Sequence, residues 1–536
     1  AILAQAIWAQ TQACVRRRTL HFRMWLLLHA TVLSLTCVPL VAQGAVCSVG
    51  DGCQASGSKQ ESYFWPTAHG HWKHYSRSPY VGPFNLSAAE KWSWHHPEGE
   101  FHDMYLGAAI DDRKNVYVAG DQHTYKLSPD GQLIWTYTAP LIPGEDKRRG
   151  NFHPNAPALY DGAVYLNSVD GRFYALDMDT GKEIWVKRVA ASCCCDTGHM
   201  AAYAGYVIVH TDATEGSCGR CQTVRALNAS DGSTIWTYKP DNAVWDLMVD
   251  FVGDGTIVFQ DLTGKGYRNY LANGTNIWKA GGYQFSWTDG TQALGPNDMV
   301  YTVNANGCQG PGCPGRVTAH RLADGEVVWQ RTVPEPPNVS PAVGELREGE
   351  GLSVVVPAST LNDCDPAAAH FFRVYPILMW LPDSLKLPVG MALQKLAVWA
   401  GDGQQWLLNL PDQPFDVYAF NAETGDLRWK WTGPVYRRVQ TVGDEKGFTD
   451  RASREVRAAS CPALPAPRIG GDGTVYVQHK SGYFFAIRDF NGDGKIDDDK
   501  EVSSFDCEHD FSSVGSAHAP GLIVAASGGK VWGFKS

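Results

Sequence analysis

Tyr174-Ala175-Leu176-Asp177-Met178-Asp179-Thr180-Gly181-Lys182-Glu183-Ile184-Trp185 decides the fold. Val164 and Leu166, then Phe173 and Ala175, mark an alternating apolar run that leads into an Asp/Thr/Gly turn. A short strand leaves the turn carrying Trp185, and a period of two on either side of a glycine turn is a hairpin signature. The phrase recurs at Tyr125–Gly131 ending on Trp135, at Arg225–Gly232 ending on Trp236, and at Tyr270–Gly274 ending on Trp278. It returns at Ala319–Gly325 with Trp329 and at Tyr418–Gly425 with Trp429. From Trp135 onward the steps between these tryptophans are 50, 51, 42, 51 and 100 residues, the last being two periods or one unit with a large insertion. A four-stranded unit repeating every ~40–50 residues is one blade of a β-propeller. No single blade can bury both faces of its sheet, so the ring must close.

Composition agrees with a closed array. The chain has 536 residues, long for one ordinary core, with 19 Trp for blade docking and 55 Gly for turns. Charged residues make up only 19%, the net charge is −10, and no basic run exceeds the three residues of Arg16-Arg17-Arg18. That excludes the positive footprint a nucleic-acid partner requires.

The N-terminus reads as a leader over residues 1–44. Arg16–Arg18 and Arg23 precede an apolar stretch from Trp25 to Leu35, and Ala42-Gln43-Gly44 offers small residues for cleavage before Ala45. Met24 is an alternative start, which would leave residues 1–23 untranslated. A signal anchor is the rival to cleavage, because Trp25–Ala42 is nearly long enough to span a bilayer. An uncleaved leader is thus the one route to a membrane. Of 14 cysteines, Cys14 and Cys37 fall in the leader, and the remaining even number suits an oxidising, disulfide-bearing compartment. Sequons at Asn85, Asn228, Asn273 and Asn338 agree with a secretory, extracytoplasmic route and a glycoprotein.

Residues 45–62 form a small, polar tail that Cys47 and Cys53 could pin, and residues 63–536 form the propeller. The strand Glu90–Trp94 has no blade in front of it, while the last blade ends at Phe534 without an outer strand. We therefore expect the N-terminal strand to complete the last blade and remove the open edge. The blades then fall at about 102–138, 152–188, 196–239, 245–281, 284–332, 339–432 and 461–506, with the eighth shared between 508–536 and 86–96. The fold class is all-β, an eight-bladed propeller of four-stranded blades, with seven the alternative because blade 6 carries an insertion at about 361–414. Apolar runs in that insertion are broken by Arg373, Pro376, Pro382, Asp383, Lys386 and Pro388 below membrane-spanning length. A packed subdomain or a partner-facing lid is expected there.

The tryptophan-ended turn, the opening Ser78-Pro79-Tyr80-Val81-Gly82-Pro83 and Asp472-Gly473-Thr474-Val475-Tyr476-Val477 resemble the PQQ-like propeller repeat proteins, whose architecture is shared with quinoprotein alcohol dehydrogenases. The resemblance covers about residues 63–536. Within it, Cys193-Cys194-Cys195-Asp196 is similar to the adjacent-cysteine disulfide that those enzymes pack on the flat face of PQQ, which makes Cys194 and Cys195 the implied pair. The resemblance also implies a calcium-binding carboxylate near Glu215 and a stacking tryptophan near Trp245. The chain departs from the enzymes at Thr197-Gly198-His199-Met200, where they continue Asn-Arg-Gly. Nothing after Trp245 matches the enzymes' calcium-binding Asn or the segment that carries their catalytic base, and there is no C-x-x-C-H haem motif. Without the resemblance, Cys193–Cys195 read as structural disulfides.

Asp489-Phe490-Asn491-Gly492-Asp493-Gly494-Lys495-Ile496-Asp497 is a calcium-loop pattern. Asp489, Asn491, Asp493 and Asp497 supply oxygens at positions 1, 3, 5 and 9, Gly494 the bend at 6, and Lys495 a backbone carbonyl at 7. A full EF-hand has a bidentate Glu at position 12, where this chain has Lys500 and then Glu501. The bland alternative is a solvated Asp/Gly turn. Cys218-Gly219-Arg220-Cys221 and Cys308–Cys313 read as local disulfides rather than redox or zinc half-sites, since they sit in β-hairpins. His69, His71, His74, His95, His96 and His102 offer a copper or zinc set, or else solvated surface. Two functions follow. One is an exported, calcium-stabilised propeller acting as a binding or scaffold module for a protein or carbohydrate partner. The other is a PQQ- and calcium-dependent alcohol or sugar dehydrogenase.

Overall fold

The computed structural model describes residues 63–97, 107–140, 156–190, 198–211, 222–305, 314–359, 412–436 and 465–536, except positions 74, 121, 169, 245, 285, 287, 289, 510, 512 and 513, with a few more within 380–392. The chain divides into two compact units, residues 1–53 and 54–536, and all described residues belong to the second. Eight four-stranded antiparallel sheets make up that unit. They span residues 108–138, 158–188, 201–238, 250–281, 293–333, 342–432 and 468–506, and the eighth combines 517–535 with Glu90–His95.

Within each blade the chain runs from an inner strand to an outer one. Inner strands lie side by side between blades 2 and 3, 5 and 6, and 6 and 7, and blade 8 (Ala517–Ala519) meets blade 1 (Ala108–Ile110) in the same way. Crowding at the axis explains their composition, since they are short and six of the eight begin with Ala. Second strands such as Val116–Gly120 and Ala163–Asn167 are buried throughout. Outer strands such as Leu133–Thr138 expose most positions. Glu90–His95 pairs antiparallel with Lys530–Lys535, register Glu90↔Lys535 to His95↔Lys530, as the outer strand of blade 8.

The repeated phrase is the docking device between blades. The hairpin joining third and outer strands carries a register shift at the same place in six blades, for instance between Ala175 and Leu176 and between Ala226 and Leu227. Such a bulge re-aims the side chains beyond it. In blades 1–5 the tryptophan then lies on the turn glycine of the next blade. Trp135 donates Nε1–H to the Met178 carbonyl at 3.1 Å, Trp185 to Ala229 at 2.9 Å, Trp236 to Leu271 at 2.7 Å, Trp278 to Leu322 at 2.8 Å and Trp329 to Ala422 at 2.8 Å. Trp92 of the closing strand completes the series by donating to Pro129 of blade 1 at 2.9 Å.

Before that strand, residues 63–89 run from the axis to the rim. Trp65 pairs with Ile110 of blade 1 in both directions, N–H to carbonyl, at 2.9 and 2.8 Å. Leu159 of blade 2 donates to the Pro66 carbonyl, Phe251 of blade 4 to Trp72, Val343 of blade 6 to Tyr75 and Ile469 of blade 7 to Ser76. Trp72 stacks on Tyr203 of blade 3 at 4.3 Å, Tyr75 packs against the cluster that Leu294, Val300 and Leu322 of blade 5 form with Val258 and Trp278 of blade 4, and Trp65 stacks on His518 of blade 8 at 5.3 Å. The segment leaves between blades 7 and 8, where Phe84 and Leu86 pack with Tyr476, Phe484 and Ile523.

Two sequence expectations change. Cys507 is a buried free thiol, so the twelve cysteines after the leader do not resolve into six disulfides. Asn338 is 3% exposed and its Oδ1 accepts from Thr288 at 3.1 Å, which leaves no room for a glycan at that sequon. The other thirteen cysteines, Cys14, Cys37, Cys47, Cys53, Cys193–Cys195, Cys218, Cys221, Cys308, Cys313, Cys364 and Cys461, lie outside the described residues, as does most of the blade 6 insertion.

Candidate functional site

Antiparallel alternation gives the ring two unlike ends. Connections from inner to second strand take 2–6 residues, and those from third to outer strand take 5 in blades 1–6. Both kinds lie at one end, which we call the short-turn end. Connections from second to third strand and from one blade to the next leave from the other end, where they reach 55 residues (360–414) and 35 residues (433–467). Long connections are where binding residues are carried on a rigid scaffold.

Cys194, Cys195, Glu215 and Trp245 all lie outside the described residues, in connections that leave from the long-connection end. The residues described around them are polar and buried. His199 and His210 are 2% and 4% exposed, and the Gly198 amide donates to the His210 ring at 3.1 Å. At the same end, in blade 7, Lys480 is buried with its ammonium donating to Gln413 Oε1 and lying 5.2 Å from the Tyr436 ring. Burial pushes its pKa down to about 7. His479 lies tilted against Phe415 at 4.6 Å, and burial, then the Lys480 charge, push its pKa down to about 3. Perturbed groups of this kind concentrate at functional sites. No sequence motif marked either residue, because a lone His-Lys pair in a β-turn has no signature.

The short-turn end has one exception, the 14 residues 488–501 that join the third strand Tyr483–Ile487 of blade 7 to its outer strand Val502–Asp506. This is the expected calcium loop. Asp489 accepts from the Gly492 and Gly494 amides at 2.6 and 3.0 Å, Asn491 Oδ1 from the Asp493 amide at 2.8 Å, and Asp493 Oδ1 from the Lys495 amide at 2.8 Å. Asp497 caps the short helix Asp498–Glu501 and pairs with Lys500 at 2.9 Å, which holds its pKa below the usual carboxylate range. Glu501, the residue one place past the pattern, closes the loop. It is 3% exposed and takes the Phe490 amide on Oε1 and the Asp497 amide on Oε2, each at 2.8 Å.

The donor chemistry, three carboxylates with an amide and a backbone oxygen, fits calcium. In the described conformation those oxygens serve loop amides instead. Among the described residues no group of three or more His, Cys, Asp or Glu converges on one point. The histidines are likewise dispersed: His69 meets Ser76 at 3.2 Å, His96 meets Tyr125 at 2.8 Å, and His71 lies on Trp72 at 4.6 Å. His74 and His102 lie outside the described residues.

The loop also interrupts the docking series. Trp431 of blade 6 donates to Asp498 Oδ1 at 2.7 Å, and a cavity of about 410 Å³ opens between Trp429, Arg428 and Arg347 of blade 6 and Gly492–Gly494 of blade 7. A second, of about 430 Å³, adjoins it beside Arg77 and Asp472. Arg347 lies directly over Gly492, where a Cβ would collide with its guanidinium. No helix among the described residues is long and apolar enough to cross a membrane.

A family model described as "Outer membrane protein assembly factor BamB" matches residues 86–239 and 198–360, together just over half of the chain. The chain is 22% identical over 386 residues to the outer membrane protein assembly factor BamB of Moranella endobia, covering 66% of this chain and 90% of that one. It is 28% identical over 193 residues to the dehydrogenase subunit of a quinone alcohol dehydrogenase from Gluconobacter oxydans, 33% of this chain but only 23% of that one. In fold it is similar to the quinohemoprotein alcohol dehydrogenase of Comamonas testosteroni, with a TM-score of 0.52, 13% identity, and coverage of 90% of this chain and 82% of that one. Repeat, ring and matched residues agree: the chain belongs to the PQQ-like β-propeller family.

Proposed function

We propose that this protein is an exported scaffold propeller that engages a protein partner through its long-connection end, outside the cytoplasm. The concentration of every long blade-to-blade and second-to-third connection at one end carries the reading. The likeness to an outer membrane protein assembly factor over 90% of that protein's length supports a partner-binding role and an extracytoplasmic location. The charge balance is against nucleic acid. The test is photocrosslinking from single positions in the native compartment. Probes at Lys239, Gln284 and Pro334, exposed at the long-connection end, are expected to give a discrete protein adduct. Probes at Asp130, Thr180 and Asn273, exposed at the short-turn end, are expected to give none. Adducts only from the second set would overturn the assignment of the binding end.

The second reading is a PQQ- and calcium-dependent dehydrogenase acting on an alcohol or sugar. It is favoured by the likeness to the Gluconobacter dehydrogenase and by the adjacent Cys194 and Cys195. The chain spans only 23% of that enzyme's length, which makes the scaffold the stronger reading. Saturable quenching of tryptophan fluorescence by PQQ in calcium, lost in Cys194→Ser, would reverse that order. Calcium itself is proposed for Asp489, Asn491, Asp493, Lys495 and Asp497, where it would pin the long connection of blade 7.

A further inference from the structure

We propose that residues 63–80 are an axial clasp, one cooperative strap whose seating locks all eight blades from inside the ring and closes the channel along its axis. The sequence showed this stretch only as a string of aromatic, Pro and Gly residues ahead of the first blade. In the structure each blade gives it a contact, five of them through the inward edge of the inner strand. Those edges would otherwise present unpaired amides to the channel, and a buried backbone amide without a partner is costly.

The strap is held in depth as well as around the circumference. Its entry lies at the short-turn end, where the Gly162 amide donates to Tyr63 Oη at 3.0 Å and Trp72 lies over Gly253. The turn Thr67–Gly70 then reaches Ala156, Met248 and Val514, which precede the inner strands of blades 2, 4 and 8. Space along the axis is therefore taken by the chain itself.

Arg468 is the anchor. It opens the inner strand of blade 7, is fully buried and pairs with no carboxylate among the described residues. Its guanidinium donates to the Ala68 carbonyl at 2.8 Å, to Ser76 Oγ at 3.1 Å and to the Ser516 carbonyl at 2.9 Å, and it lies 5.4 Å from the Trp65 ring. A buried cation is tolerated only where hydrogen bonds replace its water. Here two of those acceptors belong to the strap, so an unseated strap leaves the charge uncompensated. Ser76 is also held at φ 53, a left-handed conformation that a serine keeps only under tertiary constraint. Seating is thus all-or-none: the anchor and the edge bonds form together.

Hydrogen exchange on the full chain tests this. The amides of Ile110, Leu159, Phe251, Val343 and Ile469 each donate to a strap carbonyl from a different blade. In wild-type protein under mild denaturant they are expected to share a single opening isotherm. In Arg468→Gln all five are expected to lose protection by one common factor, on the order of tenfold, while amides of the Glu90–His95 and Lys530–Lys535 pair keep theirs. Five separate isotherms, or a loss confined to Ile469, would show independent contacts and end the proposal. If Arg468→Gln fails to fold, the wild-type isotherms alone decide.

Discussion

Trp236 shows what the recurring residue does. Its ring covers Gly274, which stands at φ +71, and its Nε1–H meets the Leu271 carbonyl in a buried setting. Trp236→Phe keeps the apolar contact and orphans that carbonyl, so it should destabilise by about 1–3 kcal/mol. Gly274→Ala should cost more, because its Cβ would fall 2.6 Å from the Trp236 ring on a backbone that L-residues avoid. Urea midpoints for the two variants check both; an unchanged midpoint in either would refute the docking account. A second prediction concerns His518 and His479. Both are held neutral, His518 by burial and then the Arg468 charge, His479 by burial and then Lys480, with each pKa pushed down to about 3. Unfolded histidine titrates near ~6.5. Below that pH the unfolded chain takes up protons that the folded one refuses, so stability falls as pH drops from 6.5 toward 3. Each histidine adds a slope of up to about 1.4 kcal/mol per pH unit. His518→Gln should flatten the pH dependence of the urea midpoint between pH 7 and 5. A variant slope equal to wild type would discard the assignment.

At the scale of the element, the third-to-outer connection of blade 7 trades a tryptophan dock for a self-bonded loop. Glu501 replaces the missing dock by holding both ends of that loop. Glu501→Ala leaves two part-buried amides without their acceptor and should cost about 1 kcal/mol. If calcium binds, millimolar calcium should raise the thermal midpoint of wild type but not of Asp493→Ala; equal midpoints with and without calcium would remove the metal from this loop. This element also marks how far sequence reading reached. Asp489 to Asp497 were legible because their spacing is local. Glu501 falls one place beyond the pattern, and only the turn of Asp498–Glu501 brings it back. Trp135, Trp185, Trp236, Trp278 and Trp329 were legible through repetition, and they fixed the blades to within a few residues. The strap was not, since Trp65 meets Ile110 and His518, 45 and 453 residues away, Ser76 meets Arg468, 392 residues away, and no period links them. Lys480 and Arg468 were invisible for the same reason: burial, not residue type, gives them their character.

At the scale of the molecule, the two ends divide the work. Short turns and tryptophan docks make one end uniform, and the other carries nearly all the length variation. The crosslinking outcome is therefore a statement about the whole ring, as is the shared exchange of five blades. One feature of the ring reaches beyond its static form. The closing pair joins Glu90 to Lys535, 445 residues apart. On a ribosome the N-terminal stretch is made first and used last. Until Lys530–Lys535 emerges, the Glu90–His95 edge has no partner strand, and open edges promote aggregation. Long sequence separation also slows folding, because loop closure must precede the contacts that reward it. Assembly of this protein thus includes a waiting period, during which Glu90–His95 must be kept from neighbours until Lys530–Lys535 arrives.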